Sequence, residues 1–122
     1  MSEAQEQRMV VEYCDLVKLP IFAIPNGGSR NKIEAANLKR QGVKAGVPDL
    51  FLPVARGGAH GLFIEMKFGK GKPSDKQKVW LQKLMAEGYQ VAVCWSAAAA
   101  IKTIKQYMDG ELAGAPGAKE EK

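Results

Sequence analysis

Asp49, Glu65 and Lys67 are charged residues inside apolar segments, and their types and spacing could perform chemistry. On a strand, side chains alternate between faces, so Glu65 and Lys67 in LFIEMKF would share one face about 6.7 Å apart. By base rate such a pair is more often a solvated surface ion pair. Asp49 favours a site, because a hairpin between its strand and the next would bring it to the same end of the sheet as Glu65.

Two carboxylates that are brought together repel each other and need a cation between them. Oxygen ligands together with retained waters are what Mg²⁺ prefers. An ion held by Asp49 and Glu65 could bind a phosphate oxygen and lower the pKa of a bound water. Lys67 could orient that water or neutralise charge that develops on the phosphate. The three residues therefore indicate a candidate site for metal-assisted chemistry on a phosphate.

Eight secondary-structure elements are predicted to position these residues. Helices are expected after the capping residues Ser2, Asn31, Ser74 and Ser96. Strands are expected in IFAIP, VPDLFLPV, GLFIEMKF and YQVAVCW. The order α-β-α-β-β-α-β-α predicts an α/β fold in which a mixed sheet is covered by helices. We expect residues 1–110 to form a single domain and residues 111–122, rich in Gly, Ala and charge, to form a flexible tail.

Composition narrows the classes of function. Eighteen Lys and Arg against 13 Asp and Glu give a net charge of +5, which suits a polyanionic partner without proving one. No apolar run approaches the roughly 18 residues of a membrane span, and the polar, acidic start is unlike a signal peptide. The two cysteines lie outside any Cys/His cluster, which argues against zinc. We therefore expect a soluble, cytoplasmic protein that does not bind membranes.

Three segments carry a family resemblance: GVPDLFLP, LFIEMK and KPSDKQKVWLQKLMAEGYQVAVCWS. Together they resemble the PD-(D/E)XK nuclease superfamily and, within it, the stand-alone virus-type replication-repair nuclease (VRR-NUC) domains of phages. The resemblance covers nearly the whole predicted domain. It implies a restriction-endonuclease-like mixed sheet flanked by helices, and a DNA endonuclease that depends on Mg²⁺ or Mn²⁺.

The resemblance also implies roles for individual residues. Asp49 and Glu65 match the two metal-binding acids, and Met66 would offer its backbone carbonyl to the metal. Lys67 matches the lysine that helps to position the attacking water. Many members place another acid on the first helix, where Glu12 is the best match. Its place at the edge of the apolar stripe is equally typical of a boundary residue.

Further candidates surround this core set. Gln77 matches a glutamine that relatives often have in the helix after the Glu-x-Lys strand, although it could simply close a capping box with Ser74. Four lysines just after that strand are expected to contact the DNA backbone, together with Arg30 and with Asn26 in the PNGG turn. The four lysines are Lys70, Lys72, Lys76 and Lys78. Loop lysines are often only solvated, and for Asn26 a turn role alone is adequate.

The small size leaves little room for a module that reads bases, so we expect selection by nucleic-acid shape. Small family members resemble junction resolvases, which act as homodimers because two symmetric cuts need two active sites. The prediction is a homodimeric, structure-selective nuclease for Holliday junctions or other branched DNA in phage replication, recombination or repair. If phage-encoded, it would work in the cytoplasm of a bacterial host. Two alternatives stay open: a nuclease of plain duplex DNA, and a non-catalytic basic DNA-binding accessory module.

Overall fold

The computed structural model describes residues 1–25 and 31–112, and the backbone of 118–121. Within these ranges the chain forms four helices and five strands. The helices are α1 (Glu3–Leu16), α2 (Lys32–Arg40), α3 (Asp75–Ala86) and α4 (Ala97–Met108). The strands are β1 (Phe22–Ala23), β2 (Leu50–Leu52), β3 (Leu62–Met66), β4 (Gln90–Cys94) and β5 (Ala118–Glu121). The first eight elements follow the predicted order.

Each helix begins after its predicted capping residue. Ser2 and Ser74 form complete capping boxes, and the side chains of Asn31 and Ser96 accept hydrogen bonds from amides in the first turns of α2 and α4. These bonds satisfy amides that have no partner within the helix. None of the described helices combines the length and apolar character needed to cross a membrane.

The described strands form one mixed sheet in the order β1-β2-β3-β4-β5. The first three strands are antiparallel, and β3, β4 and β5 run parallel to one another. In the β2–β3 hairpin Leu50 pairs with Ile64, and in the parallel half Glu65 pairs with Val93. The predicted α/β fold, a mixed sheet flanked by helices, is therefore confirmed.

Strand β5 was not predicted, and it lies within residues 111–122, the segment expected to form a flexible tail. Residues 118–121 lie parallel to β4, with Ala118 opposite Val91. The sequence AKEE shows no apolar alternation, which is why no strand was predicted there. Strand pairing uses backbone groups, so β4 can accept a polar edge strand that has no apolar pattern of its own.

Helices cover both faces of the sheet and divide the core into two clusters. On one face Val10 of α1 and Ile104 of α4 belong to the same apolar cluster as Ile64 of β3. On the opposite face Leu81 of α3 packs with Phe63 of β3. Because side chains alternate along β3, Glu65 lies on the side of Phe63 and faces α3.

The segment before Asp49 crosses the first turn of α3 at Gly46. Gly46 has a φ of +95°, and a Cβ there would lie 2.8 Å from the backbone carbon and oxygen of Lys76. A glycine is needed for both reasons, since other residues avoid this φ and the neighbouring backbone cannot move aside cheaply. This contact sets the distance between the strand that follows Asp49 and the helix that carries Gln77.

We expect Gly46→Ala to lower the free energy of unfolding by about 1–3 kcal/mol more than Gly42→Ala. Gly42 is the matched control, because its φ is +105° and a Cβ there would meet nothing within 4 Å. Both substitutions carry the cost of a positive φ, and the clash is present at Gly46 alone of the two. Urea denaturation of the two variants measures the difference, and equal losses would contradict the close contact.

Candidate active site

The register of the β2–β3 hairpin places Asp49 beside Glu65. Leu50 pairs with Ile64, so the residue before Leu50 lies across from the residue after Ile64. The side chain of Asp49 is held there by a hydrogen bond, in which the Met66 amide donates to its Oδ2 over 2.7 Å. The two predicted acids are therefore brought together at the end of the hairpin.

Glu65 is a buried carboxylate, with only 1% of the residue exposed. Its Oε2 accepts a hydrogen bond from Gln77 Nε2 at 3.1 Å and lies 3.7 Å from Lys67 Nζ. Its Oε1 is buried and has no hydrogen-bond partner among the described residues. This burial excludes the interpretation of Glu65 and Lys67 as a solvated surface pair. A buried carboxylate that is only partly satisfied costs folding free energy.

The surroundings of Glu65 favour its protonated form. Burial, the largest cause, raises its pKa from 4.5 to about 9. The neighbouring Asp49 carboxylate raises the pKa further, and Glu3 adds a smaller effect in the same direction. The nearby Lys67 ammonium lowers it. At neutral pH and without a bound cation, Glu65 therefore favours its protonated form, mainly because burial disfavours the ionised carboxylate.

Lys67 follows β3 directly and is half-buried. Its amide donates to the Cys94 carbonyl over 2.9 Å, which continues the pairing of β3 with β4 by one residue. Its side chain is 15% exposed. The ammonium is therefore near the Glu65 carboxylate and still reachable from solvent.

The Gln77 side chain both closes the capping box with Ser74 and contacts Glu65. The backbone amide of Gln77 donates a hydrogen bond to Ser74 Oγ. The side-chain Oε1 of Gln77 accepts one from the Ser74 backbone amide at 2.8 Å, which completes the capping box. The Nε2 of the same side chain then donates to Glu65. The capping bond orients the side-chain amide so that its donor points at the buried carboxylate.

Of the acids on α1, Glu3 rather than the predicted Glu12 lies close enough to Asp49 and Lys67 for their charges to affect its pKa. Burial and then the charge of Asp49 raise the pKa of Glu3, whereas Lys67 lowers it. Both acids are exposed, and Glu12 lies nine residues later, which is about 13.5 Å farther along the helix axis. This position fits the interpretation of Glu12 as a boundary residue.

Contacts of Ser2 and Glu6, on either side of Glu3, hold the first turn of α1 in place. Ser2 caps the helix, and Glu6 Oε2 accepts a hydrogen bond of 2.7 Å from the Ala97 amide at the start of α4. Glu3 lies between these two contacts. The sequence signal that could have located it is an acid in the first turn after a capping box, where a helix N-terminus stabilises anions.

Comparison with known proteins identifies the family. The family model of the VRR-NUC domain matches residues 2–98 of the chain. The chain belongs to the VRR-NUC family. A solved structure named "VRR_NUC domain protein" is 33% identical, with a TM-score of 0.77, and the match covers 90% of each chain. No curated protein matches the chain. The resemblance read from the sequence is therefore confirmed at the level of the VRR-NUC domain, a nuclease-type domain of the PD-(D/E)XK superfamily, and such a domain implies DNA as its substrate.

The donor set of this VRR-NUC domain fits a hard divalent cation. Asp49 and Glu65 place two carboxylates side by side, and the pKa of Glu65, raised to about 9, shows that Lys67 does not balance their charge. Oxygen donors of this kind suit Mg²⁺ and Mn²⁺. In the described part of the chain, no group of three or more His, Cys, Asp or Glu side chains is arranged to hold a metal. Further ligands would therefore come from backbone, such as the Met66 carbonyl, and from water.

The basic segment of the VRR-NUC domain lies directly beside this site. All four of its predicted DNA-contacting lysines, Lys70, Lys72, Lys76 and Lys78, are exposed. Trp95, which follows β4, donates from Nε1 to the Gly71 carbonyl over 2.8 Å and so ties the segment to the sheet. Asn26 and Arg30, the other two predicted contacts, lie outside the described residues.

We expect Glu65→Gln to stabilise the metal-free VRR-NUC domain above pH 4.5. Because the folded-state pKa of Glu65 is raised to about 9, the folded protein binds more protons than the unfolded chain between these two pH values. The wild type therefore loses stability, relative to the variant, as the pH rises from 4.5 to about 9. The advantage of the variant should reach up to about 3 kcal/mol at pH 7 and vanish below pH 4.5.

Chemical denaturation in EDTA at pH 4, 7 and 9 measures this difference. Glu12→Gln is the matched control, because the same change at an exposed position should leave stability nearly unchanged at all three pH values. A constant offset between wild type and Glu65→Gln across the series would contradict the raised pKa.

Proposed function

We propose that this VRR-NUC domain is a divalent-metal-dependent endonuclease that uses Mg²⁺ or Mn²⁺ to hydrolyse phosphodiester bonds of DNA. The observation that carries the proposal is the buried Glu65 carboxyl beside Asp49, whose ionised form the surrounding residues do not stabilise. A folded protein tolerates such a cost at a place where a ligand offsets it. Lys67, which lies beside the two acids, gives the site a positive charge that can offset charge developing on the phosphate.

Each residue of the site would contribute according to its chemical type. When bound, a divalent ion would polarise the scissile phosphate and lower the pKa of a water. Asp49, Glu65 and the Met66 carbonyl would hold it. The hydrogen bond from Gln77 occupies Oε2 of Glu65, which leaves the buried Oε1, unpartnered within the described residues, directed to ligation.

Lys67 would act on the phosphate side of the site. Its ammonium lies 3.7 Å from Glu65 Oε2 and is partly exposed, so it can donate to an attacking water or to a phosphate oxygen. Either bond would offset charge that develops on the phosphate during the reaction. The exposed lysines that follow would hold the DNA backbone without regard to sequence.

The finer assignment is a homodimeric, structure-selective enzyme acting on Holliday junctions or other branched DNA, in the cytoplasm. Its setting would be phage replication, recombination or repair in a bacterial host. This assignment is supported by the exposed lysines that follow β3 and by the two active sites that symmetric cutting of a junction needs. Duplex cleavage without structural preference is the competing outcome of the experiment below.

We expect Glu65→Gln and Lys67→Ala each to lower the rate of DNA cleavage in Mg²⁺ or Mn²⁺ by at least about 100-fold. Binding of DNA should be retained by both variants, because the exposed lysines that would hold the DNA backbone are unchanged. Cleavage of a labelled duplex and fluorescence anisotropy measure the two effects separately.

Glu87→Gln, an exposed change at the end of α3, serves as the control and should cleave at the wild-type rate. EDTA should abolish cleavage by the wild type. If chelation changes nothing and Glu65→Gln is as active as the wild type, the chain is a non-catalytic DNA-binding module.

Substrate selection is tested by mixing the protein and Mn²⁺ with a labelled four-way junction, a flap and a linear duplex of related sequence. We expect the junction or flap to be cut faster than the linear duplex. Equal cutting of all three would overturn the structure-selectivity and leave the duplex nuclease.

A further inference from the structure

A groove of about 590 Å³ lies between α2 and α3, outside the group of acids described above. Its floor is apolar, formed in part by Ala35 and Ala36 of α2 and by Val79 and Trp80 of α3. Val79 is 53% exposed, so this floor is open to solvent. A volume of this size is within the range of pockets that hold small organic groups.

The groove and the active site lie on neighbouring faces of the same helix. Lys76, Val79 and Trp80 follow the i, i+3, i+4 spacing that places side chains on one side of a helix, and all three line the groove. Gln77 is the residue next to Lys76, and its side chain reaches Glu65. A DNA strand bound at Asp49 and Glu65 would therefore need to extend only a short way across α3 to reach the groove.

The rim of the groove is basic. Lys39 and Lys44 from α2 and the loop after it, and Lys76 from α3, oppose the single acid Asp75 in the lining. Lys83 adds a further cation beside the floor, with its Nζ 5.0 Å from the centre of the Trp80 ring. The lining thus combines cations, which can bind phosphates, with an apolar and aromatic surface. Phosphates and sugars alone would not require such a surface.

This combination matches an unpaired nucleotide better than a paired one. In a duplex the base faces are stacked and covered, so a protein that grips only the backbone needs no apolar floor. An unpaired base exposes its flat face, which stacks on aromatic side chains while basic residues hold the phosphate.

We propose that the groove between α2 and α3 binds an unpaired nucleotide of the DNA substrate, with its base on the apolar floor against Trp80 and its phosphate among the rim lysines. The proposal rests on the proposed function and deepens it, because it names DNA with unpaired nucleotides as the preferred substrate class. Structure-selectivity would then come from contacts made on α3, one helical face away from the cleavage chemistry.

Fluorescence anisotropy with the full chain tests the proposal. The two probes are a labelled duplex with three unpaired nucleotides at its centre and the fully paired duplex of the same flanking sequence, both in EDTA so that no cleavage occurs. The wild type should bind the first probe at least about fivefold more tightly, which is the smaller end of the effect of one stacked base. Trp80→Leu should reduce this preference to less than about twofold without changing the affinity for paired DNA.

Lys44→Ala should reduce the preference in part, because it removes one rim charge. Its matched control is Lys102→Ala on α4, an exposed lysine on a helix that packs on the opposite face of the sheet from α3. Lys102→Ala should leave the ratio of the two affinities unchanged. If Trp80→Leu does not fold, Val79→Glu replaces it, since Val79 is largely exposed and an acid on the floor should abolish the preference by repelling the phosphate.

Equal binding of the two probes by the wild type, or a preference that survives Trp80→Leu or Val79→Glu, would overturn the proposal. Cleavage of the paired duplex in Mn²⁺ is measured alongside. If the wild type cleaves but shows no preference, the groove proposal fails and the nuclease stands. If it shows a preference that depends on Trp80 but does not cleave, the groove proposal stands and the nuclease fails.

Discussion

The burial of Glu65 is the constraint around which the rest of the site is organised. A carboxylate with 1% exposure must be neutralised, paired or ligated, since an isolated buried charge costs several kcal/mol. Here it has one amide donor and one ammonium, and it shares its place with Asp49, which works against its ionisation. The protein therefore keeps Glu65 in its protonated form, and a bound cation would allow this carboxyl to ionise.

Local folding rules position the groups around that carboxylate. The capping box at the start of α3 belongs to helix formation, yet the same Gln77 side chain hydrogen-bonds Glu65. The glycine at position 46 lets the segment before Asp49 rest on the backbone of α3, so the hairpin and the helix meet at a fixed distance. Stability and the geometry of the site thus depend on the same few contacts.

Charge is arranged in two zones of opposite sign. The acids lie at the centre, where β2 begins and β3 ends, and the exposed lysines lie beside them and along the groove between α2 and α3. A polyanion is attracted by the outer zone over a distance of roughly a Debye length, whereas the inner zone repels it unless a cation is present. In such an arrangement binding depends on the lysines and chemistry depends on the ion, so the two can be separated by substitution.

The sequence by itself determined Asp49, Glu65 and Lys67 as the candidate site, the four helix caps and the mixed sheet. These follow from short-range rules: alternation along a strand, hairpin register and capping within three residues. Only the tertiary structure decided that Glu3, and not Glu12, lies near Asp49, that residues 118–121 add a strand, and that burial raises the pKa of Glu65. Helical periodicity predicts the face of the helix on which a residue lies, but not where along its axis the helix meets the rest of the protein. For α1 that position is set by the contact between Glu6 and Ala97 of α4. Pairing of β5 and the pKa of Glu65 depend in the same way on neighbours that are distant in sequence.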